Sequence, residues 1–157
     1  LKDLRGDLHT HTSATDGQNT LEEMAEAAKQ AGLEYFANTD HSKRMAMSHG
    51  FDADRLLRRI DEIDKLNDTI KGTTILKGIE VDILDDGELD LSDEVLSKLD
   101  LVVASVHSRF NVPRDKQTER IMKAMDHKYF TILAHPTGRL IGPSMPSKKS
   151  TAAEGKM

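Results

Sequence analysis

The chain has 157 residues, enough for one domain with a real core, and a formal net charge of −5. That charge, with 4% aromatic residues and no Trp, argues against a basic non-specific DNA binder and against a stacking platform for single strands. Cys is absent, so disulfides and thiolate ligands are excluded; with no apolar run long enough for a bilayer and no signal-peptide pattern, the expectation is a cytoplasmic protein without a membrane partner.

In chain order, short apolar runs alternate with helical patterns. The first run is Leu4 to His11, followed by a polar loop from Thr12 to Asn19. Thr20-Leu21-Glu22-Glu23 is a capping box, and Leu21, Met24, Ala25, Ala28 and Ala31 then recur at helical spacing up to Gly32. The second run, Leu33 to Thr39, ends in Asp40-His41. Asp52 then caps a long helix whose stripe is Leu56, Leu57, Ile60, Ile63, Leu66 and Ile70. The third run, Thr73 to Ile79, ends in Glu80 and leads into the acidic turn Asp85-Asp86-Gly87. Ser92 caps a short helix. The fourth run, Leu101 to Val106, ends in His107. Pro113 and Asp115 open a helix carrying Ile121, Met122 and Met125, and the fifth run, Tyr129 to Ala134, ends in His135. Apolar strands separated by helices predict an α/β fold, a parallel sheet covered by helices, either doubly wound or a barrel. Residues 143–157 are rich in Ser, Lys, Ala and Gly and read as a disordered tail.

The five runs share one feature: each ends in a residue type that binds metal. These are His9 and His11, then His41, Glu80, His107 and His135. Extended backbone has a period of two, so His9 and His11 face the same way. In a parallel sheet all five ends lie on one rim, where ligands gather. Asp16, in the first loop, can reach the same place. Any one of these His is more often a cap or a hydrogen-bonded core residue, but the recurrence singles the set out. Imidazole with carboxylate suits Zn²⁺, Mn²⁺ or Fe²⁺. Two such ions ~3.5–4 Å apart, bridged by Glu80 and a hydroxide, would clamp a phosphate.

Other residues have blander readings. His127 reads as a charge at a helix C-terminus, and His49 as a loop residue or a substrate contact. Asp61, Glu62, Asp64 and Lys65 read as a solvated helix face, and Asp82, Asp85 and Asp86 as loop acids that turn the chain. Asp40 is expected to support a ligand or the fold rather than bind metal, and Asp7 to hydrogen-bond one imidazole. Arg109 and Arg139, on neighbouring loops, are either surface arginines or bidentate grips on phosphate.

The segments DLHTHTSATDG, ANTDHS, GIEVDIL, VVASVHSRF and AHPTGRLIG resemble, in order, the motifs of the PHP (polymerase and histidinol phosphatase) domain. The likeness is to the version at the C-terminus of bacterial and archaeal family X DNA polymerases, and spans residues 1 to 142. It implies a seven-stranded βα barrel and metal-dependent phosphoester hydrolysis, including 3′–5′ exonuclease and DNA end processing in repair. It also implies up to three divalent metals, with Mn²⁺ or Zn²⁺ foremost. By resemblance, His9, His11 and Glu80 belong to one metal, Glu80, His107 and His135 to a second, and Asp16 and His41 to a third. Glu80 and His107 are the expected catalytic residues. The family's closing Asp-x-His motif does not follow His135, so the resemblance implies a truncated domain, an incomplete barrel of about five parallel strands. Open edge strands then predict self-association, or low stability as a monomer. The rival expectations are a small-molecule phosphatase of the histidinol-phosphate type and a non-catalytic metal-binding module.

Overall fold

The computed structural model describes residues 3–136. It begins with β1 (Gly6–Thr10), then α1 (Leu21–Gln30), β2 (Tyr35–Asn38), α2 (Ala53–Thr69), β3 (Thr74–Asp82), α3 (Asp93–Leu96), β4 (Leu101–Ser105), α4 (Arg114–Met125) and β5 (Ile132–Leu133). A single 3₁₀ turn, Ala46–Ser48, lies between β2 and α2. All strand pairs are parallel, and the strands lie in sequence order. A doubly wound sheet reverses its order at a switch point; this one never does, so each crossover advances the sheet in one direction. The result is an incomplete βα barrel of five strands.

The helices begin where the side chains can satisfy backbone N–H groups. Thr20 and Glu23 form the reciprocal capping box at α1. Asp52 accepts from Arg55 N at 2.8 Å to start α2. Ser92 is the N-cap of α3, but its hydroxyl makes no capping bond.

The period of two in β3 divides its residues between two faces. Ile79, Val81 and Ile83 join Leu56, Ile60, Val102 and Ala104 in the main core under the helices. Ile75 joins Phe36, Ile63 and the α1 residues Leu21, Ala25 and Ala28. On the other face, Ala37, Val103 and Ala134 cluster with Leu76 and Ile132, which leaves Glu80 and Asp82 on that inner side of the arc. Each fully buried Leu or Ile contributes roughly 1.5–3 kcal/mol. In α4 the stripe differs from expectation. Met122 and Met125 are exposed, and the helix buries Arg120 and Ala124 instead, because the guanidinium finds carbonyl partners below.

The edges are weaker than the centre. Leu4 and Leu8 are exposed in and before β1, and β5 has two residues. No helix among the described residues is long and apolar enough to cross a membrane. The tail expected at 143–157 lies outside the described residues.

Candidate metal centre

Glu80 is the hub. β3 does not end there, as its apolar run suggested, but continues in register with β4 to Asp82↔Ser105. The carboxylate is therefore held inside the sheet and is 1% exposed. Its Oε2 lies 3.1 Å from His9 Nε2, 3.2 Å from His11 Nε2 and 3.3 Å from His41 Nδ1. Its Oε1 lies 2.9 Å from His135 Nε2 and 3.2 Å from His107 Nε2, and accepts from Ser105 Oγ at 2.6 Å. Five imidazoles from four strand ends meet one glutamate carried by the fifth.

Asp16 closes the β1 side. Its two oxygens lie 3.1 Å from His11 Nδ1 and 3.1 Å from His41 Nε2. Gly17 allows this: a Cβ there would sit 2.4 Å from the His11 carbonyl oxygen, so only glycine lets the loop fold back so closely. Asp40 holds that loop. Its carboxylate accepts from Thr12 N, Thr12 Oγ1 and Thr15 Oγ1, each at 2.7 Å, and from Asn38 Nδ2 at 3.0 Å.

The nitrogens are close to carboxylate oxygens yet badly aligned with them. His9 Nε2, His41 Nδ1 and His11 Nδ1 are buried and make no hydrogen bond. Buried polar atoms are seldom left so. Bonds of about 2.0–2.2 Å to one divalent cation hold neighbouring ligand atoms roughly 3.0–3.5 Å apart, which is the spacing found here. Three groups of ligand atoms meet that kind of closeness among the described residues: His9, His11 and Glu80; His11, Asp16 and His41; and His41, Glu80 and His107. The donor set fits a divalent metal.

Electrostatics agrees with the geometry. Burial pushes the Glu80 carboxyl up, but His107, His11, His9 and Ser105 outweigh it and hold Glu80 far below the carboxylate range. His107 is pushed up to about 9: burial opposes the shift, and hydrogen bonds to Asp82 and Glu80 overcome it. His11 is raised against burial by Glu80, whereas burial lowers His41.

Several residues fall elsewhere than expected. Asp82 is no loop acid. It ends β3, is 3% exposed, and binds His107 Nδ1 with Oδ1. Two residues beyond Glu80 on the same strand face, it was legible by the period of two. Asp7 accepts from the His9 backbone N at 3.1 Å and not from an imidazole. Arg109 turns to Asp85, with Nε 3.0 Å from Oδ2, in a surface pocket shared with Lys116 and Lys123. His49 is exposed, with positive φ, and its carbonyl is taken by Arg55. His127 lies beyond α4 and meets Asp93 at 3.1 Å. Arg139 lies outside the described residues.

Two arginines that the sequence did not single out staple the rim. Arg55 donates to Ala14, His49 and Gly50 carbonyls, tying the loops after β1 and β2. Arg120, 4% exposed, donates to Ile83, Leu84 and Ser108 carbonyls, tying the loops after β3 and β4.

These features define a class: a parallel βα half-barrel whose cleft, at the C-terminal ends of its strands, is built from imidazoles and carboxylates. The sequence model of the PHP domain matches residues 7–145, and the chain belongs to the PHP domain family. It is 46% identical over 142 residues to the "DNA polymerase/3'-5' exonuclease PolX" of Bacillus subtilis, covering 90% of this chain and 25% of that protein. It is 37% identical over 136 residues to a probable phosphatase of Thermoanaerobacter sp. strain X514, covering 83% of this chain and 53% of that protein. The chain thus spans a quarter to about half of these relatives. The crystal structure of a Lactococcus lactis histidinol phosphate phosphatase, complexed with zinc, L-histidinol and phosphate, superposes with a TM-score of 0.47 at 18% identity. That match covers 68% of this chain and 41% of the other.

Proposed function

We propose that this chain is a metal-dependent phosphoesterase domain that hydrolyses phosphodiesters at DNA 3′ ends. The observation that supports it most is the unsatisfied set of buried imidazole nitrogens around Glu80 and Asp16. The similarity to PolX supports DNA as the substrate. His9, His11 and Glu80 would hold one cation, with His41, Glu80 and His107 holding a second. Asp16, with His11 and His41, would serve a third, and His135 stands on the Glu80 oxygen that faces His107. Mn²⁺ and Zn²⁺ both suit these donors. Bound cations supply Lewis acidity toward a phosphoryl oxygen and acidify water at neutral pH.

The chain's own residues do the rest. Glu80 presents one oxygen to each side of the cleft, so a single side chain serves two ligand groups. Ser105 fixes the carboxylate's rotation by donating to Oε1. Neutral His41, favoured by burial, keeps a lone pair available for a cation. Arg109 and Arg139 are the proposed phosphate grips, and His49 a proposed substrate contact; Arg109 would exchange Asp85 for a phosphate oxygen.

The test is hydrolysis of a 5′-labelled oligonucleotide with added Mn²⁺, beside a small phosphomonoester. Shortening from the 3′ end that vanishes in His107→Ala supports the reading. Release of phosphate only from the small ester favours a second reading, to which the probable phosphatases point. Tight Mn²⁺ binding with neither reaction would make the chain a non-catalytic metal-binding module and overturn both.

A further inference from the structure

We propose that Asp82 is a positioning residue for the cation cleft: it holds the His107 ring by Nδ1 so that Nε2 faces Glu80. The inference rests on the reading that the cleft takes up divalent cations. Three imidazoles have both ring nitrogens within 3.3 Å of a carboxylate oxygen. His11 and His41 each span from Glu80 to Asp16, whose side chain is 46% exposed at the open mouth. His107 spans from Glu80 to Asp82, which is 3% exposed behind the ring and belongs to none of the three candidate ligand groups. Asp82 therefore acts on the cleft through His107 and does not reach it.

Asp82 is itself held from two directions. Its backbone N–H is 3.1 Å from Asp90 Oδ1 and 3.2 Å from Ser42 Oγ, and Ser42 Oγ donates to the same Asp90 oxygen at 2.8 Å. Asp90 Oδ2 accepts from Arg44 N at 3.2 Å, so the chain after His41 is tied into the same support. A carboxylate is acceptor only, so the His107 proton in this arrangement sits on Nδ1. That leaves the Nε2 lone pair for a cation.

Zn²⁺ serves as the probe. Isothermal titration should show Zn²⁺ affinity about 10–100-fold weaker in Asp82→Ala than in the wild type. Asp82→Asn, whose amide oxygen still accepts from Nδ1–H, should recover part of that loss. Nitrogen-15 spectra of histidine-labelled wild type with Zn²⁺ should show the His107 proton on Nδ1, a measurement that needs no variant to fold. Wild-type Zn²⁺ affinity in both variants, or the proton on Nε2 in the loaded wild type, would overturn the inference. A wild type that takes up no Zn²⁺ would instead sink the cation reading, and this inference with it.

Discussion

Glu80 and Asp40 are equally buried, each 1% exposed, yet their surroundings differ in kind. Asp40 is ringed by donors: one backbone N–H, two hydroxyls and an amide, all at hydrogen-bond distance. A carboxylate so saturated has its charge spread over fixed dipoles and nothing left to offer. Glu80 is ringed by imidazoles, two of which approach Oε2 with nitrogens that make no hydrogen bond. Burial alone therefore does not mark a ligand; unspent lone pairs facing each other do. Asp40 builds the wall, and Glu80 is the carboxylate we propose as a cation ligand.

Replacing each carboxylate separates the two roles. At Mn²⁺ about 1,000-fold above its dissociation constant, the wild type should gain about 4 kcal/mol of stability, and Glu80→Gln should gain none. Urea unfolding with and without Mn²⁺ reads this directly; an equal gain in the variant would break the contrast. Asp40→Ala should cost about 3 kcal/mol whether or not Mn²⁺ is present, because the Thr12 N–H and the Asn38 amide lose a buried acceptor. A loss seen only with metal would turn Asp40 into a ligand.

Proton competition sharpens the same point. In the metal-free protein His107 is raised from its ordinary ~6.5 to about 9. A group raised by folding contributes stability that is full below the unfolded value and is lost as pH rises through the folded one. His11 acts in the same sense, while His41, lowered by burial, contributes above its ordinary value and loses that contribution as pH falls. Cation binding needs the second His107 proton, the one on Nε2, gone while Nδ1 keeps its own, so it strengthens over the interval in which the metal-free fold weakens. Between about pH 6 and about 8.5, calorimetry should show the metal-free Tm falling and the rise caused by Mn²⁺ growing. Parallel curves would contradict the placement of His107 among the ligands.

The smallest effect belongs to the sheet edge. Leu8, 41% exposed on β1, lies on a strand that pairs only with β2 among the described residues. Leu8→Lys should change stability by less than about 0.5 kcal/mol. If copies of the chain pair through this edge, the lysine should also shift sedimentation toward the monomer. A larger loss of stability would show that the edge is covered within one chain.

Much of the site was legible because a parallel sheet converts sequence position into a shared rim. Five apolar runs ending in His9, His11, His41, Glu80, His107 and His135 needed no contact map to be grouped. The capping box at Thr20 and the Asp52 cap were equally plain, since both are local. Asp82 was misread because the apolar run stops before Glu80, while strand pairing carries β3 two residues further. Arg55 and Arg120 left no trace in the spacing: their partners are carbonyls, which every residue carries. Arg109 has the chemistry of a phosphate grip, and its neighbour across the fold, Asp85, decides where it points.

What the chain's order of residues determined was periodicity, punctuation and the donor types available, because these depend on neighbours within a few positions. Tertiary structure alone decided which carboxylate is spent on hydrogen bonds and which stands open. It also decided which nitrogen of each imidazole faces the cleft. Those outcomes depend on distances between groups tens of residues apart, and only the curled arc of strands sets them.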